Sequence, residues 1–448
     1  MKTFILTALI LIIGWLTGEL IRAQTGVMRL EFPAELDKNP YELVSLDTSG
    51  LLMFYAQAAM VDDENRNWHF MLYDTNLFKI WETDVPVLDG SRYQQSFMQD
   101  GKVDLFFFNP GKIKSGNNNF QMSELNVNSG IIDHFTGLLP DVAEIKGFFV
   151  SGDIAVTACN MKNEQAAVFF IDTRKKNYKV FMTDFQDQNF VEDLRADPFN
   201  GSALLLLSNY TSRRQNLLLM LELDMSGKVI RECPIQVVLP SKYLNSGRIY
   251  PIGPTNNLVI GTYSNFSSKI PSEDDYYGLE SAGYFITRFE DSTQQYMNYY
   301  NFMELQNIRP AMSARDYLKL AKKKNREESD YSVDYEILLH SIKLINKEYT
   351  IMSEAYYPDF RTVSDITYDY WGRPITHTYT VFEGYRIFQA ILLAFDPEGN
   401  LMWDNSLELS NINTLDLTPR VETQVAHVNR AFPRNLYLFG LESLFLIF

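Results

Sequence analysis

One segment of the chain reads Ile391-Leu-Leu-Ala-Phe-Asp396-Pro-Glu-Gly399-Asn-Leu-Met-Trp403. An apolar stretch ends on an acidic residue, a short polar turn with a glycine follows, and a second apolar stretch begins. Two short hydrophobic stretches separated by a few turn residues that include glycine predict a β-hairpin. Because similar segments recur along the chain, we interpret this hairpin as the unit of a repeat.

Six copies of the hairpin align on the acidic or asparagine residue that ends the first strand. These anchor residues are Asp74, Asn126, Asp172, Asp224, Glu290 and Asp396. Two further strand candidates precede the hairpins, for example residues 145–150 and 154–159, so that each unit has four strands. The first four anchors follow one another at about 50 residues, a period typical of one four-stranded β-propeller blade.

The turn from Asp396 to Trp403 resembles the Asp-x-x-x-Gly-x-x-x-Trp signature of quinoprotein-type propeller repeats. The segment from Asp224 to Arg231 resembles a weaker copy, and most other copies lack the tryptophan. The spacing from Asp396 to Gly399 is one residue shorter than in that family. The resemblance implies the propeller fold and implies no cofactor. Exported chains with such degenerate copies also resemble a broad group of bacterial propeller proteins.

We therefore expect an all-β protein in which residues 24–448 form a single β-propeller domain of six complete four-stranded blades. Residues 421–428 and 436–439 are predicted to begin a seventh blade. Either a strand at residues 27–32 completes this blade and closes the ring, or the chain is truncated. Residues 303–335 are predicted to be a helical insertion between blades five and six, with Ser313 as a helix N-cap.

The amino terminus has the pattern of a secretory signal peptide. One positive charge at Lys2 is followed by a largely apolar stretch at residues 4–16 and by a small residue, Ala23. We expect cleavage after residue 23 and export to the periplasm or the extracellular space. The apolar stretch is shorter than the about 20 residues that span a bilayer, so we expect no integral membrane segment after cleavage.

Charge and cysteine content restrict the partners and the covalent structure. The formal net charge is −16, which disfavours binding to the phosphates of nucleic acids. Cys159 and Cys233 are the only cysteines. Their spacing does not show that they meet, and we expect two unpaired thiols rather than a disulfide.

Three long insertions, at residues 264–283, 303–335 and 358–384, are predicted to leave the disc on the same face. Each joins the second strand of a blade to the third, or one blade to the next, and such connections share one face of a propeller. Rings of Tyr and Trp combine large contact area with a polar tip. We therefore predict a ligand-binding surface formed by Tyr276, Tyr277, Tyr356, Tyr357, Tyr370 and Trp371. The alternative is that these rings pack the insertions onto the disc.

No catalytic motif, cofactor site or metal site is predicted. The chain has no Gly-x-Ser-x-Gly, phosphate-binding Gly-Lys loop, His-Glu-x-x-His or Cys-x-x-Cys motif. Asp63-x-Asn65-x-Asn67 has the spacing of a calcium loop but lacks its glycine and glutamate. We expect an exported, non-enzymatic binding or scaffold protein with a glycan, peptide or protein partner. The alternative is a carbohydrate-active hydrolase or lyase, or a quinone-dependent dehydrogenase, on the same fold.

Overall fold

The structure is a computed structural model that describes residues 41–111, 118–183, 188–212, 215–265, 280–307, 322, 335–368, 371–414, 438–440 and 443–445. The predicted signal peptide and the predicted strand at residues 27–32 lie outside the described residues. So do residues 308–334 apart from Lys322, and the helical insertion predicted there is not shown. Short 3-10 helices occur at Asp47–Ser49 and Phe302–Glu304.

Strands β1 to β25 form six antiparallel sheets in chain order, one for each blade. Blade one contains β1 (Glu42–Ser45), β2 (Leu51–Met60), β3 (Asn65–Tyr73) and β4 (Lys79–Leu88). Blade two contains β5 (Arg92–Gln99), β6 (Lys102–Phe108), β7 (Phe120–Asn126) and β8 (Ile132–Gly137). Blade three contains β9 (Val142–Ser151), β10 (Ile154–Met161), β11 (Ala166–Asp172) and β12 (Asn177–Met182).

Blades four to six continue this order, and blade six has one additional short strand. Blade four contains β13 (Gln188–Asp197), β14 (Ser202–Ser212), β15 (Gln215–Leu223) and β16 (Val229–Pro234). Blade five contains β17 (Lys242–Gly253), β18 (Asn256–Asn265), β19 (Gly283–Glu290) and β20 (Thr293–Asn301). Blade six contains β21 (Glu336–Leu339), β22 (Lys343–Ile345), β23 (Glu348–Tyr368), β24 (Pro374–Phe395) and β25 (Leu401–Thr414).

Neighbouring blades are held together by shared apolar cores. Phe107 lies in the core between blades one and two, Phe148 in that between blades two and three, and Leu205 in that between blades three and four. Phe285 and Tyr284 extend from β19 in opposite directions, towards blades four and six. The first strand of each blade is innermost, since β9 contacts both β5 and β13, and β13 contacts β17. The chain is a six-bladed, all-β propeller, and all six predicted hairpins are confirmed.

A partial seventh blade is not shown. Its predicted first strand, at residues 421–428, lies outside the described residues. Further along, β26 (Leu438–Gly440) and β27 (Ser443–Phe445) pair with each other.

Aspartate and asparagine anchors of the repeat close the turn between the last two strands of a blade. Oδ1 of Asp224 accepts hydrogen bonds from the backbone N–H groups of Ser226 (2.8 Å) and Lys228 (3.0 Å), and Gly227 has a φ of +83°. Asp396 makes the equivalent bonds, and Gly399 has a φ of +82°. A short carboxylate can satisfy these N–H groups, and glycine adopts positive φ without a steric cost. The repeat pattern is therefore a turn requirement.

The two cysteines occupy different blades, Cys159 in β10 and Cys233 in β16. Both are buried and free, which confirms the prediction of unpaired thiols. Burial raises the pKa of both thiols and makes them poor nucleophiles.

Candidate functional site

Three of the six predicted binding residues can be placed. Tyr356 and Tyr357 lie in β23, and Trp371 lies in the turn between β23 and β24. Tyr276, Tyr277 and Tyr370 lie outside the described residues. The insertion at residues 264–283 is described only at its ends, where the backbone of Ser281 pairs with that of Tyr335 at the end of the blade crossover.

Residues 358–384 were predicted to be a long loop, and they are instead an extension of blade six. β23 and β24 continue past the blade as a paired two-stranded ribbon, in which Phe360 faces Phe382 and Tyr368 faces Pro374. We call residues 358–384 the arm. At about 3.3 Å per residue, each of its strands is roughly 35 Å long. The second half of the arm, from Ile375 to Phe382, consists mostly of β-branched and aromatic residues, which favour strand geometry.

The arm exposes apolar side chains on both of its faces. Facing residues of an antiparallel pair lie on the same side of the sheet, so Phe360 and Phe382 share one face with Ile366, while Tyr379 and Val381 lie on the other. These side chains are between 37% and 55% exposed. Every residue from 374 to 383 is exposed. An apolar surface that is open on two faces is unusual for a globular chain.

The base of the arm is packed by aromatic rings. Tyr356 makes an edge contact with Tyr385 at 5.6 Å, and Tyr385 in turn contacts Phe382 at 5.1 Å. Tyr357 lies 5.8 Å from Phe388, which contacts Tyr335 of the crossover. These contacts continue the apolar core between blades five and six and fix the direction in which the arm leaves the disc.

Tyr356 and Tyr357 differ in their surroundings although they are adjacent. Burial raises the pKa of the Tyr356 hydroxyl, and the nearby Glu336 carboxylate raises it further. Burial, together with the charge of Glu280, raises the pKa of Glu336 to about 7. Tyr357 is 40% exposed, and its hydroxyl accepts a hydrogen bond of 3.3 Å from Arg386. Tyr356 therefore packs the base of the arm, and Tyr357 is the one of the two that a ligand can reach.

Trp371 lies at the far end of the arm, 73% exposed, with the Arg373 guanidinium 5.1 Å from its ring. The path from Tyr357 to this tip is the length of the arm, roughly 35 Å. The structure thus brings Tyr356 and Tyr357 together and leaves Trp371 apart from them. A binding role for the six predicted residues stays a prediction.

A second cluster of polar residues, not predicted from the sequence, lies at the propeller axis. Arg248 of β17 donates from Nη1 to the carbonyl oxygen of Glu192 in blade four at 2.5 Å. Its Nε and Nη2 donate to the carbonyl oxygen of Leu339 in blade six, at 3.1 and 2.9 Å. One guanidinium therefore links three blades through their innermost strands. Burial lowers the pKa of Arg248, with Asp193 opposing that shift.

Carboxylates surround this arginine. Asp193 Oδ2 accepts bonds from the backbone N–H of Ile249 (2.9 Å) and from Arg195 Nε (3.0 Å). Glu192 lies at a β-bulge, where its Oε1 accepts a hydrogen bond of 2.8 Å from Ser208. Burial is the main cause that raises the pKa of Glu192, while the Ser208 bond lowers it. Both carboxylates thus accept hydrogen bonds from groups of blades four and five.

Contacts across the axis extend the cluster to blade six. Arg195 Nη2 donates to the Ser341 hydroxyl at 2.7 Å, although the two residues belong to blades four and six. His340 is 3% exposed, and its Nε2 lies 3.7 Å from Oε1 of Glu354. No hydrogen-bond partner for either His340 ring nitrogen occurs within the described residues. Arg248 and Arg195 both donate to acceptors on other blades, and these hydrogen bonds join the inner strands of blades four, five and six.

The segment with calcium-loop spacing forms an ordinary turn. Asp62, not Asp63, caps it by accepting hydrogen bonds from the backbone N–H groups of Glu64 and Asn65, both at 2.8 Å. The Asn67 amide donates to Gln57 Oε1 at 2.8 Å. Across the described part of the chain, no group of three or more His, Cys, Asp or Glu side chains is arranged to hold a metal ion. Nor do these residues include a helix that is long and apolar enough to cross a membrane.

Comparison with known proteins gives a distant likeness in fold. No protein-family model and no curated protein matches the chain. The cobalt-substituted apocarotenoid oxygenase of Synechocystis aligns with 56% of this chain and 61% of its own length, at 8% identity and a TM-score of 0.34. The chain thus spans less than two thirds of that protein. The β-propeller domain of the Trilobed protease from Pyrococcus furiosus aligns over 84% of this chain and 99% of its own, at 8% identity and a TM-score of 0.34.

Proposed function

We propose that the chain is an exported, non-enzymatic binding or scaffold protein and that the arm of blade six is its binding element. The observation that carries this proposal is the exposure of apolar side chains on both faces of the arm, including Phe360 at 54% and Ile366 at 55%. Each exposed apolar group costs free energy in water, and a partner that covers it recovers that free energy. Extended apolar surface on an exported chain is thus best explained by binding.

The marginal stability of the arm supports the same proposal. A two-stranded ribbon has no core of its own and is marginally stable in isolation. The aromatic contacts from Tyr356 to Tyr385 and from Tyr385 to Phe382 support only its base. A partner that packs on the outer part would order it and gain binding free energy from its rings, chiefly Trp371 at the tip.

The axial cluster supports a non-enzymatic function. A general acid or base has to reach its substrate within hydrogen-bond distance. His340 and Glu354 are 3% and 5% exposed, and Arg248 donates to backbone carbonyl groups of two other blades. These groups have the surroundings of structural residues.

A binding assay with a matched control tests the proposal. Glycan and peptide arrays are probed with the chain from Gln24 onwards and with the triple variant Phe360→Ala, Ile366→Ala and Trp371→Ala. We expect a specific signal that falls by about tenfold or more in the variant, which corresponds to about 1.4 kcal/mol of binding free energy.

The control variant changes three apolar residues of similar exposure at the opposite turns of the disc. Phe78, Ile131 and Ile230 are 67%, 64% and 56% exposed and lie in or beside the turns between the last two strands of blades one, two and four. Their joint replacement by Ala should leave the signal unchanged. Equal losses in both variants, or a signal that the arm variant retains in full, would contradict the proposal.

A further inference from the structure

Among the described residues, no further strand pairs with the outer backbone edges of the arm. β25 pairs with β24 only as far as Thr414 opposite Tyr385, and β21 pairs with β23 only as far as Glu336 opposite Tyr356. Beyond these points, each arm strand pairs only with the other one among the described strands. Backbone N–H and C=O groups along an open edge are free to pair with a further strand.

The two open edges differ in charge. The β24 edge reads Ile375-Thr-His-Thr-Tyr-Thr-Val-Phe382 and contains no acidic residue, lysine or arginine. The stretch of β23 that faces it, residues 360–367, contains Arg361 and Asp365. Prolines and charged residues on an edge are common devices against unwanted strand pairing. Each arm strand has a proline near one end, Pro358 in β23 and Pro374 in β24, and Glu383 lies at the base of β24. Between these ends, over residues 375–382, the β24 edge has no proline or charged residue, so it is the edge suited to pairing.

The side chains of the β24 edge are complementary to themselves. Thr376, Thr378 and Thr380 occupy one face, while Ile375, His377, Tyr379 and Val381 occupy the other. An antiparallel copy centred on Tyr379 places Tyr379 against its own counterpart and Thr378 against the counterpart of Thr380. Aromatic pairs and Thr pairs across strands stabilise a sheet, and no like charges oppose one another in this register.

The geometry points to a second copy of this chain as the partner of the β24 edge, with the two arms paired antiparallel into a four-stranded ribbon. This inference rests on the proposed function, because it names a partner of the same arm. The faces of the arm stay available to other partners in the paired form.

The charge of the molecule favours this mode of association over contact between discs. Each chain has a formal net charge of −16, so two discs repel each other at short range. Antiparallel arms place the discs at opposite ends of a ribbon roughly 35 Å long. At 0.1 M salt the Debye length is about 10 Å, so the repulsion between the discs is largely screened at that distance. The uncharged β24 edge is thus a contact that the acidic chain can make with itself.

Sedimentation equilibrium of the chain from Gln24 onwards tests the inference. We expect a discrete dimer for the wild type and for Val363→Lys, and a dissociation constant raised by about tenfold or more for Tyr379→Lys. Val363 of β23 lies directly opposite Tyr379 of β24. Its replacement by Lys therefore adds the same charge at the same position along the arm, but on the β23 edge. A monomeric wild type, an open-ended aggregate, or equal dissociation of both lysine variants would overturn the inference.

Disulfide cross-linking gives a second readout that does not require a destabilising charge. Directly opposed residues of antiparallel strands have Cα atoms about 4.5–5.5 Å apart, within the range of a disulfide. Under mild oxidation, Tyr379→Cys should form covalent dimers and Val363→Cys should not. Cys159 and Cys233 are buried and do not interfere. Absence of dimers for Tyr379→Cys, with an unchanged circular dichroism spectrum, would refute the pairing.

The array assay separates this inference from the proposed function. A monomeric chain that still binds the arrays through the arm would leave the proposed function standing and remove the second copy as a partner. A dimer that binds no array probe would leave the pairing standing and remove the external ligand.

Discussion

The propeller axis and the arm of blade six are made from the same kind of extended strand and differ in how their polar and apolar groups are satisfied. At the axis, Arg248 and Asp193 find partners within about 3 Å on neighbouring blades. In the arm, Phe360 and Tyr379 expose about half of their surface, and each strand has one described neighbour. The difference shows that polar groups at the axis join the inner strands of several blades, whereas apolar groups in the arm are left exposed to solvent.

The axis and the arm differ in this way because their strands have different numbers of neighbouring strands. An inner strand such as β13 is flanked by β14 within its sheet and by β9 and β17 of the adjacent blades, so its charged groups must be paired on site. An arm strand has left the disc and meets solvent on three sides. Most of its side chains have few packing neighbours, and residues 374–383 are all exposed.

Removal of the Arg248 guanidinium at the axis should give the largest loss in the free energy of unfolding. Arg248→Ala leaves the carbonyl oxygens of Glu192 and Leu339 without their donor and removes a cation beside Asp193. We expect a loss of about 3 kcal/mol in the free energy of unfolding, measured by urea denaturation. Arg361→Ala, which breaks an exposed ion pair of the arm with Glu383, should cost less than about 0.5 kcal/mol. Similar losses for the two arginines would break the contrast between axis and arm.

Replacement of an aromatic side chain at the base of the arm should give a smaller loss in the free energy of unfolding. Tyr356→Ala removes the ring that contacts Tyr385, and we expect a loss of about 2 kcal/mol, below that of a fully enclosed aromatic residue. Thermal unfolding measured by circular dichroism checks this value. An unchanged midpoint would mean that the base of the arm is not packed as the ring contacts indicate.

The pH dependence at the base of the arm should follow Glu336. Its pKa is raised from the ordinary value of about 4.3 to about 7, so the folded state holds the proton more tightly than the unfolded state does. The wild type therefore loses stability as the pH rises through this interval, and Glu336→Gln does not.

We expect the advantage of Glu336→Gln over the wild type to grow between pH 4 and pH 8, reaching about 1 kcal/mol because solvent screens a half-exposed group. Urea denaturation at several pH values measures it. Glu383→Gln removes the same charge from the arm and serves as the control. An advantage that shrinks with rising pH would contradict the sign of the shift.

The tip of the arm should give the smallest change in stability. Trp371 is 73% exposed, so Trp371→Ala should change the free energy of unfolding by less than about 0.5 kcal/mol. Differential scanning calorimetry of the variant and the wild type checks this. A loss comparable with that of Tyr356→Ala would show that the tip packs against the rest of the chain and is no free binding surface.

The blade hairpins could be predicted because their cause is local. Asp224 and Gly227 lie three residues apart, and the bonds of their turn run only to Ser226 and Lys228, so the pattern is visible in sequence. The arm was predicted only as an insertion. Its alternation from Ile375 to Phe382 is a strand signal, although Pro358, Gly372 and Gly384 are residue types common in loops.

The sequence by itself determined the blade repeat, the all-β class and the position of the insertion, because alternating polarity and turn residues act over a few neighbouring positions. Only the tertiary structure decided that Arg248 joins Glu192 and Leu339, residues 56 and 91 positions away, and that Tyr357 and Trp371 lie at opposite ends of one ribbon. The physical reason is distance along the chain. A hydrogen bond or ring contact between blades depends on how six sheets are arranged around an axis, and no local pattern encodes that arrangement.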